Sequence, residues 1–198
     1  MTGTAMAGQK VLLAFGDSLT QGYGLPAGDG FVPNLERWLN DAGADVRVVN
    51  GGVSGETTAG GAARIDWTLG GDFDAVIVAL GANDALRGLP VAEARANLAL
   101  ILTRIRAKGL PVLLVGVPAP GNFGADYQRD FAAMYVDLAA EFDVPVFASF
   151  LQGLEDLEDY DAVLRDFMQS DGLHPNAKGV GLVVDRMGPA VLAMLNGA

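Results

Sequence analysis

Hydrophobic residues gather into five short runs at fairly even intervals along the chain. The runs are VLLAF from Val11, VRVVN from Val46, AVIVAL from Ala75, PVLLVGV from Pro111 and VPVFASF from Val144. Each is rich in valine, leucine and isoleucine, and its apolar residues follow one another with little alternation. This pattern is typical of parallel strands that are covered on both faces. The sequence therefore predicts a sheet of five parallel strands.

The segments between these runs have the periodicity of amphipathic helices. The clearest stripe consists of Val91, Ala94, Leu98, Ile101, Leu102 and Ile105. Pro90 stands at its start and Gly109 after its end, as is typical of a helix. A second stripe consists of Phe31, Leu35, Trp38, Leu39 and Ala42. Further helices are predicted over residues 124–142 and 176–195, the last with a kink at Pro189.

The alternation of strand and helix predicts an α/β fold, a doubly wound parallel sheet with right-handed crossovers. No internal repeat, low-complexity linker or shift in composition divides the chain, so we expect one domain over residues 1–198. That length is enough to bury most of the apolar surface of such a domain. The simplest interpretation of the acidic run EDLEDYD from Glu155 is a solvated face. Calcium binding is the alternative, although the run lacks an EF-hand loop.

The charge and composition of the chain argue against several classes of ligand. The 13 basic and 24 acidic residues give a formal net charge of −11, which repels nucleic acid, anionic membranes and polyanionic substrates. No apolar stretch reaches the roughly 18 residues of a membrane span, so stable membrane insertion is not expected. The chain has no cysteine and one histidine, which argues against a zinc site. We expect neither a metal nor a cofactor.

The first eight residues are compatible with two cellular locations. AMA followed by Gly8 is similar to the A-x-A end of a signal-peptide cleavage site, although no basic region or apolar core precedes it. One interpretation is that residues 1–8 are the remnant of a removed signal peptide, which places the protein in the periplasm or outside the cell. The alternative is an ordinary ragged terminus on a cytoplasmic protein. The lack of cysteine fits either compartment.

Candidate chemistry lies in the loops after the strands, because open parallel sheets bind ligands at the carboxyl ends of their strands. Ser18, three residues after the first run, is either the cap of the next helix or a nucleophile, which needs a neighbouring base. His174 is either a packing residue or that base, since a histidine ordinarily titrates near pH 6.5. Asp171 either closes an Asx turn or accepts from His174 Nδ1, which leaves Nε2 to take the Ser18 proton.

Donors for a tetrahedral oxyanion can be nominated from the same set of loops. The backbone N–H of Ser18 is the first. Gly52, after the second run, offers a bare backbone that a substrate can approach, and Asn83, after the third, offers a side-chain amide. Taken singly, Gly52 and Asn83 are also common turn residues. Together with Asp171 and His174, these residues supply every group that acyl transfer to a serine requires.

Four blocks of the sequence resemble those of a known enzyme family. GDSLTQGYG, GGVSGETT, GANDALRG and DGLHPNAKG are similar, in order and spacing, to the four blocks of the SGNH hydrolases, also called GDSL esterases and lipases. A narrower resemblance, to the bacterial arylesterase, acyl-CoA thioesterase I and lysophospholipase group, is carried by GETT, NDALRG and PAPGNFGADY. The resemblance covers nearly the whole chain, and four blocks in order are a specific signal.

This resemblance implies a three-layer α/β/α, flavodoxin-like fold and a serine hydrolase of carboxylic esters. By position it makes Ser18 the nucleophile, His174 the base and Asp171 the partner of that base. Gly52 and Asn83 are then oxyanion donors together with the Ser18 amide. The acidic surface favours neutral esters of short to medium acyl chains, with acyl-CoA thioesters and lysophospholipids as alternative substrates. We expect a monomer that acts on a small-molecule ester.

Three other interpretations compete with this one. GYGLPA from Gly22 matches the G-x-G-x-x-A of dinucleotide-binding proteins, but it is displaced from the strand end and holds a proline where a helix should open. An ordinary α/β-hydrolase has the same chain order of serine, acid and histidine, but Thr20 stands where its G-x-S-x-G elbow needs the last glycine. A non-catalytic module that binds a carbohydrate or a protein is the third.

Overall fold

Five parallel strands form one sheet in the computed structural model, which describes residues 8–197. The strands are β1 (Lys10–Gly16), β2 (Val46–Gly52), β3 (Ala75–Ala79), β4 (Val112–Val115) and β5 (Val146–Phe147). Their order across the sheet is β2-β1-β3-β4-β5, which is the flavodoxin-like order. The fold class predicted from the sequence is confirmed. The signal remnant predicted at residues 1–8 lies outside the described residues, apart from Gly8.

Helices cover both faces of this sheet. They are α1 (Ser18–Gln21), α2 (Phe31–Asp41), α3 (Thr58–Thr68), α4 (Ala82–Leu86), α5 (Val91–Ala107), α6 (Ala125–Phe142), α7 (Gln152–Glu155), α8 (Tyr160–Asp166) and α9 (Ala177–Asn196). α2 packs on α9, whereas α3 packs on α5 and α5 on α6, so the molecule has three layers. No helix within residues 8–197 combines the length and the apolarity needed to cross a bilayer.

The predicted apolar stripes form the contacts between the helices and the sheet. The buried members of these stripes are Ala94, Leu98, Ile101, Leu102 and Ile105 on α5, and Phe31, Leu35 and Leu39 on α2. Every residue of β3 is also buried, as expected of a central strand with a helix layer on each face. The last helix begins and ends within one residue of its prediction and continues through Pro189.

The edge strand β5 is shorter than the apolar run that predicts it. Only Val146–Phe147 belong to the strand, and they pair with the end of β4. Beyond them the chain turns away, and the N–H of Phe150 donates to the carbonyl of Gly116 at 2.8 Å. Val146 is partly exposed, because no further strand covers that side. Phe150, at the end of the run, packs into the core from outside the sheet, whereas Pro145 and Ala148 are exposed.

The register of the central strands brings three loops to one edge of the sheet. Gly16, the last residue of β1, pairs with Gly52 of β2 and with Ala79 of β3. Ser18 therefore leaves the sheet at the same level as the loops that follow β2 and β3. The helices after β1 and those after β3 lie on opposite faces, so this edge is the topological switch point. Open α/β sheets bind their ligands in the crevice that forms there.

Candidate active site

Ser18 is the first residue of the short helix α1 and stands two residues beyond the end of β1. The cap of that helix is Asp17, whose Oδ1 accepts the N–H of Leu19 at 3.0 Å. The interpretation of Ser18 as the helix cap is therefore wrong, because Asp17 already fills that role. The hydroxyl of Ser18 is free for another partner, and its Oγ lies 2.8 Å from Nε2 of His174.

The loop before α9 holds Asp171 and His174 in direct contact. Oδ2 of Asp171 lies 2.7 Å from Nδ1 of His174. Oδ1 of the same carboxylate accepts the N–H of Leu173 at 2.9 Å and that of His174 at 3.0 Å. The Asx turn and the contact with the imidazole, predicted as alternatives, are thus both present. On its other side the imidazole packs against the ring of Tyr23, with the two centroids 4.8 Å apart.

The Asp171 carboxylate is held in its ionised form. Desolvation raises its pKa, but the N–H groups of His174 and Leu173 and the imidazole outweigh that effect and lower the pKa to about 2. The carboxylate therefore remains charged at any pH above about 3. An ionised partner at Nδ1 keeps the proton of a neutral imidazole on that nitrogen, so Nε2 is free to accept from Ser18.

Asn83 lies in α4, close behind the end of β3. The turn into α4 requires glycine at position 81, which has φ +125° and where a β-carbon would lie 2.2 Å from Oη of Tyr135. Nδ2 of Asn83 donates to the backbone carbonyl of Glu56 at 3.0 Å. This bond orients the amide, and the second hydrogen on Nδ2 has no partner among residues 8–197.

Gly52 does not occupy the position that the sequence predicts for an oxyanion donor. Its N–H donates to Oδ1 of Asn50 at 2.9 Å, and it is not on the wall of the cleft beside Ser18. A β-carbon at Gly52 would lie 2.4 Å from the backbone nitrogen of Gln21. The glycine is needed there because β2 and α1 pack closely, and the prediction of an oxyanion role is corrected.

Gly55, three residues further along, lies on the cleft wall with Ser18 and Asn83. The N–H groups of Gly55 and Ser18 have no hydrogen-bond partner within residues 8–197. Nη2 of Arg87 donates to the carbonyl of Gly55 at 2.9 Å, which holds this part of the loop. The block GGVSGETT contains three glycines, and the sequence does not reveal that the strand continues through the first two.

A cleft of about 780 Å³ opens beside Ser18 and His174. Much of its apolar lining comes from Leu86 and residues 117–120. The rest comes largely from the segment between residues 151 and 173, whose larger lining side chains are Leu151, Leu154, Leu157, Tyr160, Val163, Leu164, Met168 and Leu173. An apolar cavity of this size, with a few polar groups at one point, suits a small organic ligand.

The acidic run from Glu155 contributes residues to the lining of this cleft. Its carboxylates are exposed, as predicted for a solvated face. However, Leu157 and Tyr160, which stand between those acids, line the cleft together with Glu155. The sequence does not reveal this role, because the apolar partners of these two residues come from distant segments. Among the described residues no three acidic or histidine side chains cluster in a way that could hold a metal ion.

Asp17 is fully buried directly before Ser18. Its Oδ2 and the hydroxyl of Thr20 have no hydrogen-bond partner within residues 8–197. Burial raises the pKa of the Asp17 carboxyl to about 6, and the negative charges of Glu56 and Asp84 add to this rise. The N–H of Leu19 and the nearby His174 act in the opposite direction. The folded chain thus holds this proton at a pH where an unfolded chain, with an aspartate pKa near 3.9, has lost it.

Replacing Asp17 with asparagine is expected to flatten the pH dependence of stability. Between pH 4 and 6 the folded state of the parent binds more protons at this site than the unfolded state, so its free energy of unfolding falls as the pH rises. Asparagine still caps a helix but carries no charge. Asp17→Asn should therefore be more stable than the parent at pH 7.5, by about 1–3 kcal/mol, and close to it at pH 4.

Urea unfolding at pH 4 and pH 7.5 measures this difference. Asp72→Asn is the control, because Asp72 is exposed and its neutralisation should shift stability equally little at both pH values. If the free energy of unfolding of Asp17→Asn falls from pH 4 to pH 7.5 as much as that of the parent, the Asp17 carboxyl does not titrate in that range.

The sequence profile of the GDSL-like lipase/acylhydrolase family matches residues 14–182. The chain belongs to this family. It is 35% identical over 193 residues to esterase TesA of Pseudomonas aeruginosa, covering 97% of this chain and 92% of TesA. It is 33% identical over 192 residues to thioesterase 1/protease 1/lysophospholipase L1 of Escherichia coli, covering 96% and 87%. The crystal structure of AlinE4, an SGNH-hydrolase family esterase, matches with a TM-score of 0.77 at 42% identity and covers 94% of this chain and 97% of AlinE4.

Membership of the GDSL family confirms the resemblance of the four sequence blocks and makes the chain a carboxylic ester hydrolase. The competing interpretations as a dinucleotide-binding protein, an ordinary α/β-hydrolase or a non-catalytic module are therefore wrong. Residues 22–27, which carry the weak dinucleotide motif, form turns after α1 and do not open a helix.

Proposed function

We propose that this GDSL hydrolase cleaves neutral esters of short to medium acyl chains through a covalent acyl-enzyme on Ser18. The observation that supports this most directly is the chain of contacts from Ser18 Oγ to His174 Nε2 (2.8 Å) and from His174 Nδ1 to Asp171 Oδ2 (2.7 Å). A serine beside a histidine that a carboxylate orients is the arrangement that activates this weak nucleophile.

The reaction proceeds in two halves. Ser18 Oγ attacks the acyl carbonyl while His174 Nε2 takes the hydroxyl proton, and the bond to the alcohol breaks as His174 returns that proton to the leaving oxygen. Water then attacks the acyl-serine with His174 again acting as base, which releases the carboxylic acid and restores Ser18. Asp171 stabilises the imidazolium that forms in each half, because its carboxylate stays ionised.

Three N–H donors serve the oxyanion of each tetrahedral intermediate. They are the backbone N–H of Ser18, the backbone N–H of Gly55 and Nδ2 of Asn83. Gly55 replaces the predicted Gly52, whose N–H donates to Asn50. Free donors on a cleft wall are suited to this role, since they need no rearrangement as charge develops on the carbonyl oxygen.

The substrate class follows from the cleft and the charge of the molecule. The apolar walls accept the acyl chain, and the net charge of −11 together with the Glu155 carboxylate on the cleft wall repels anionic leaving groups. Neutral alcohols are therefore favoured over the phosphate-bearing thiol of coenzyme A. All the proposed groups come from one chain, so we propose that a monomer, folded as one domain, is sufficient for activity.

A second candidate activity is hydrolysis of thioesters and lysophospholipids. The Escherichia coli relative, at 33% identity, is named for both. The same serine, base and oxyanion donors would serve these substrates, because the attacked carbonyl is an acyl carbonyl in each case. Rates on neutral and coenzyme A esters of the same acyl chain, compared at low and high salt, separate the two candidates.

A fluorophosphonate probe is expected to label the protein once, on Ser18. Such a probe reacts with a serine that a neighbouring base activates, and its phosphoryl oxygen occupies the site of the oxyanion. Intact mass spectrometry should show one adduct, and peptide mapping should place it. Ser54→Ala is the matched control: Ser54 lines the same cleft, but its Oγ donates to Gln21 and has no base beside it. An active protein labelled elsewhere, or not at all, would disprove the nucleophile.

A further inference from the structure

Arg64, on α3, binds the carboxyl ends of two neighbouring strands. Its Nη2 donates to the carbonyl of Gly16, the last residue of β1, at 3.2 Å and to that of Gly51 in β2 at 2.9 Å. The guanidinium carbon also stands 4.0 Å from the centroid of the Phe15 ring, a cation–π contact. The side chain is only 20% exposed. It is thus held in place by β1 and β2 together.

The same guanidinium forms an ion pair with Glu56, in the loop between β2 and α3. Its Nε lies 2.8 and 2.9 Å from the two carboxylate oxygens, and the Glu56 side chain is 9% exposed. The backbone carbonyl of Glu56 accepts the bond that orients Asn83. Gly55 is the residue directly before Glu56. The Arg64 guanidinium is therefore linked to three groups beside the cleft. It is linked to Asn83 through Glu56, and to Gly55 through the peptide bond that joins Gly55 to Glu56. It is linked to Ser18 through the end of β1.

We propose that Arg64 is a positioning residue that holds the three oxyanion donors at fixed distances from one another. This inference rests on the proposed function, since it concerns the donors named there. Arg64 is not on the cleft wall, so it acts on the reaction only through the groups that it binds. A planar guanidinium with five N–H donors can join two carbonyls and a carboxylate at once, which the ammonium of lysine cannot reproduce.

Loss of this guanidinium is expected to slow turnover without weakening substrate binding. Arg64→Met keeps an apolar stem near Phe15 but removes the hydrogen bonds to both strands and to Glu56. A shift of about 1 Å in a catalytic group costs up to about a hundredfold in rate. We expect kcat to fall roughly 10- to 100-fold with KM nearly unchanged, because misplaced oxyanion donors weaken the transition state and not the bound ester.

A double-mutant cycle with Asn83→Ala tests whether Arg64 acts through the oxyanion donors. Asn83→Ala should lower kcat roughly 100- to 1,000-fold, the usual loss for one such donor. Part of the effect of Arg64 passes through Asn83, so Arg64→Met should cause a clearly smaller further loss in the Asn83→Ala background than in the parent. A general loss of folded protein would instead reduce kcat by the same factor in both backgrounds.

Two further variants control for folding. Arg64→Met leaves the Glu56 carboxylate buried without a partner, which is costly for the folded state. The double variant Arg64→Met/Glu56→Gln has no unpaired charge and should show the same loss of kcat. Arg104→Met is the matched control, because Arg104 pairs with Asp66 of α3 at 3.3 Å with both side chains largely exposed. Its removal should leave kcat at the parent value.

The outcomes that overturn the inference differ from those that overturn the proposed function. Equal losses of kcat from Arg64→Met in both backgrounds would remove the positioning role, as would a folded Arg64→Met/Glu56→Gln enzyme with the kcat of the parent. If Asn83→Ala has the turnover of the parent, the proposed oxyanion site itself is wrong. The role of Arg64 is then wrong as well, because it depends on that site.

Discussion

Replacing Ser18 with alanine is expected to lower kcat about a millionfold, as removal of the nucleophile does in other serine hydrolases with this kind of catalytic unit. Alanine cannot form the acyl-enzyme, and the remaining groups have no attacking atom to assist. The residual rate would come from water attacking a carbonyl that the oxyanion donors still polarise. Release of p-nitrophenol at high enzyme concentration measures this rate against the parent.

Substrate binding should survive the same substitution. The apolar walls of the cleft do not involve the hydroxyl of Ser18, so calorimetry with an intact ester should still show saturable binding of one ester per molecule. Ser170→Ala is a suitable control, because Ser170 is exposed in the loop that carries Asp171 and His174. Appreciable turnover by Ser18→Ala, above about one part in a thousand of the parent, would mean that the nucleophile is another group.

Replacing His174 with alanine should be about as damaging as replacing Ser18, and the double variant hardly worse than either. Proton removal and attack are one event in this mechanism, so loss of either group abolishes the same step. The contact of 2.8 Å between Ser18 Oγ and His174 Nε2 is what makes the two a unit. The measurement is the rate of ester hydrolysis by the two single variants and the double variant under identical conditions.

Free imidazole provides a second check on the role of His174. The substitution leaves a gap beside Tyr23, where a small base can bind, and added imidazole should restore part of the activity of His174→Ala. It should have no effect on Ser18→Ala. Multiplicative losses in the double variant would show that Ser18 and His174 act in separate steps, contrary to the proposed mechanism.

Much of the framework of this molecule can be predicted from its sequence because buried parallel strands need continuous apolar runs. Ser18, Asp171 and His174 can be nominated as a group for a different reason, since a chain with one histidine offers one ordinary proton acceptor near neutral pH. The structure brings these three side chains into hydrogen-bond contact. The edge strand is less predictable, because where β5 stops depends on Phe150 turning back to Gly116.

The features of the site that the sequence does not predict depend on where each strand ends and on which distant segments come into contact. From the sequence GGVSGETT alone, Gly52 and Gly55 are equally suitable as oxyanion donors. Only the pairing of Gly52 with Gly16 shows that Gly52 is still in the sheet. Leu157 and Tyr160 stand among acidic residues, so their place in the cleft follows from tertiary packing alone. Asp17, and not Ser18, occupies the N-cap position of α1. The sequence cannot distinguish these two adjacent residues as helix caps, because the distinction depends on the backbone angles.

The distance of 156 residues between Ser18 and His174 in the sequence governs when activity arises during synthesis. At about 5–20 residues per second, the proposed nucleophile leaves the ribosome roughly 8–30 seconds before its base. For that interval the nascent chain carries a serine with no proton acceptor, so it cannot attack esters around it. A chain that stops before residue 174 lacks the proposed base, so we expect it to have no hydrolytic activity. The proposed mechanism thus keeps the serine inactive until translation has passed residue 174.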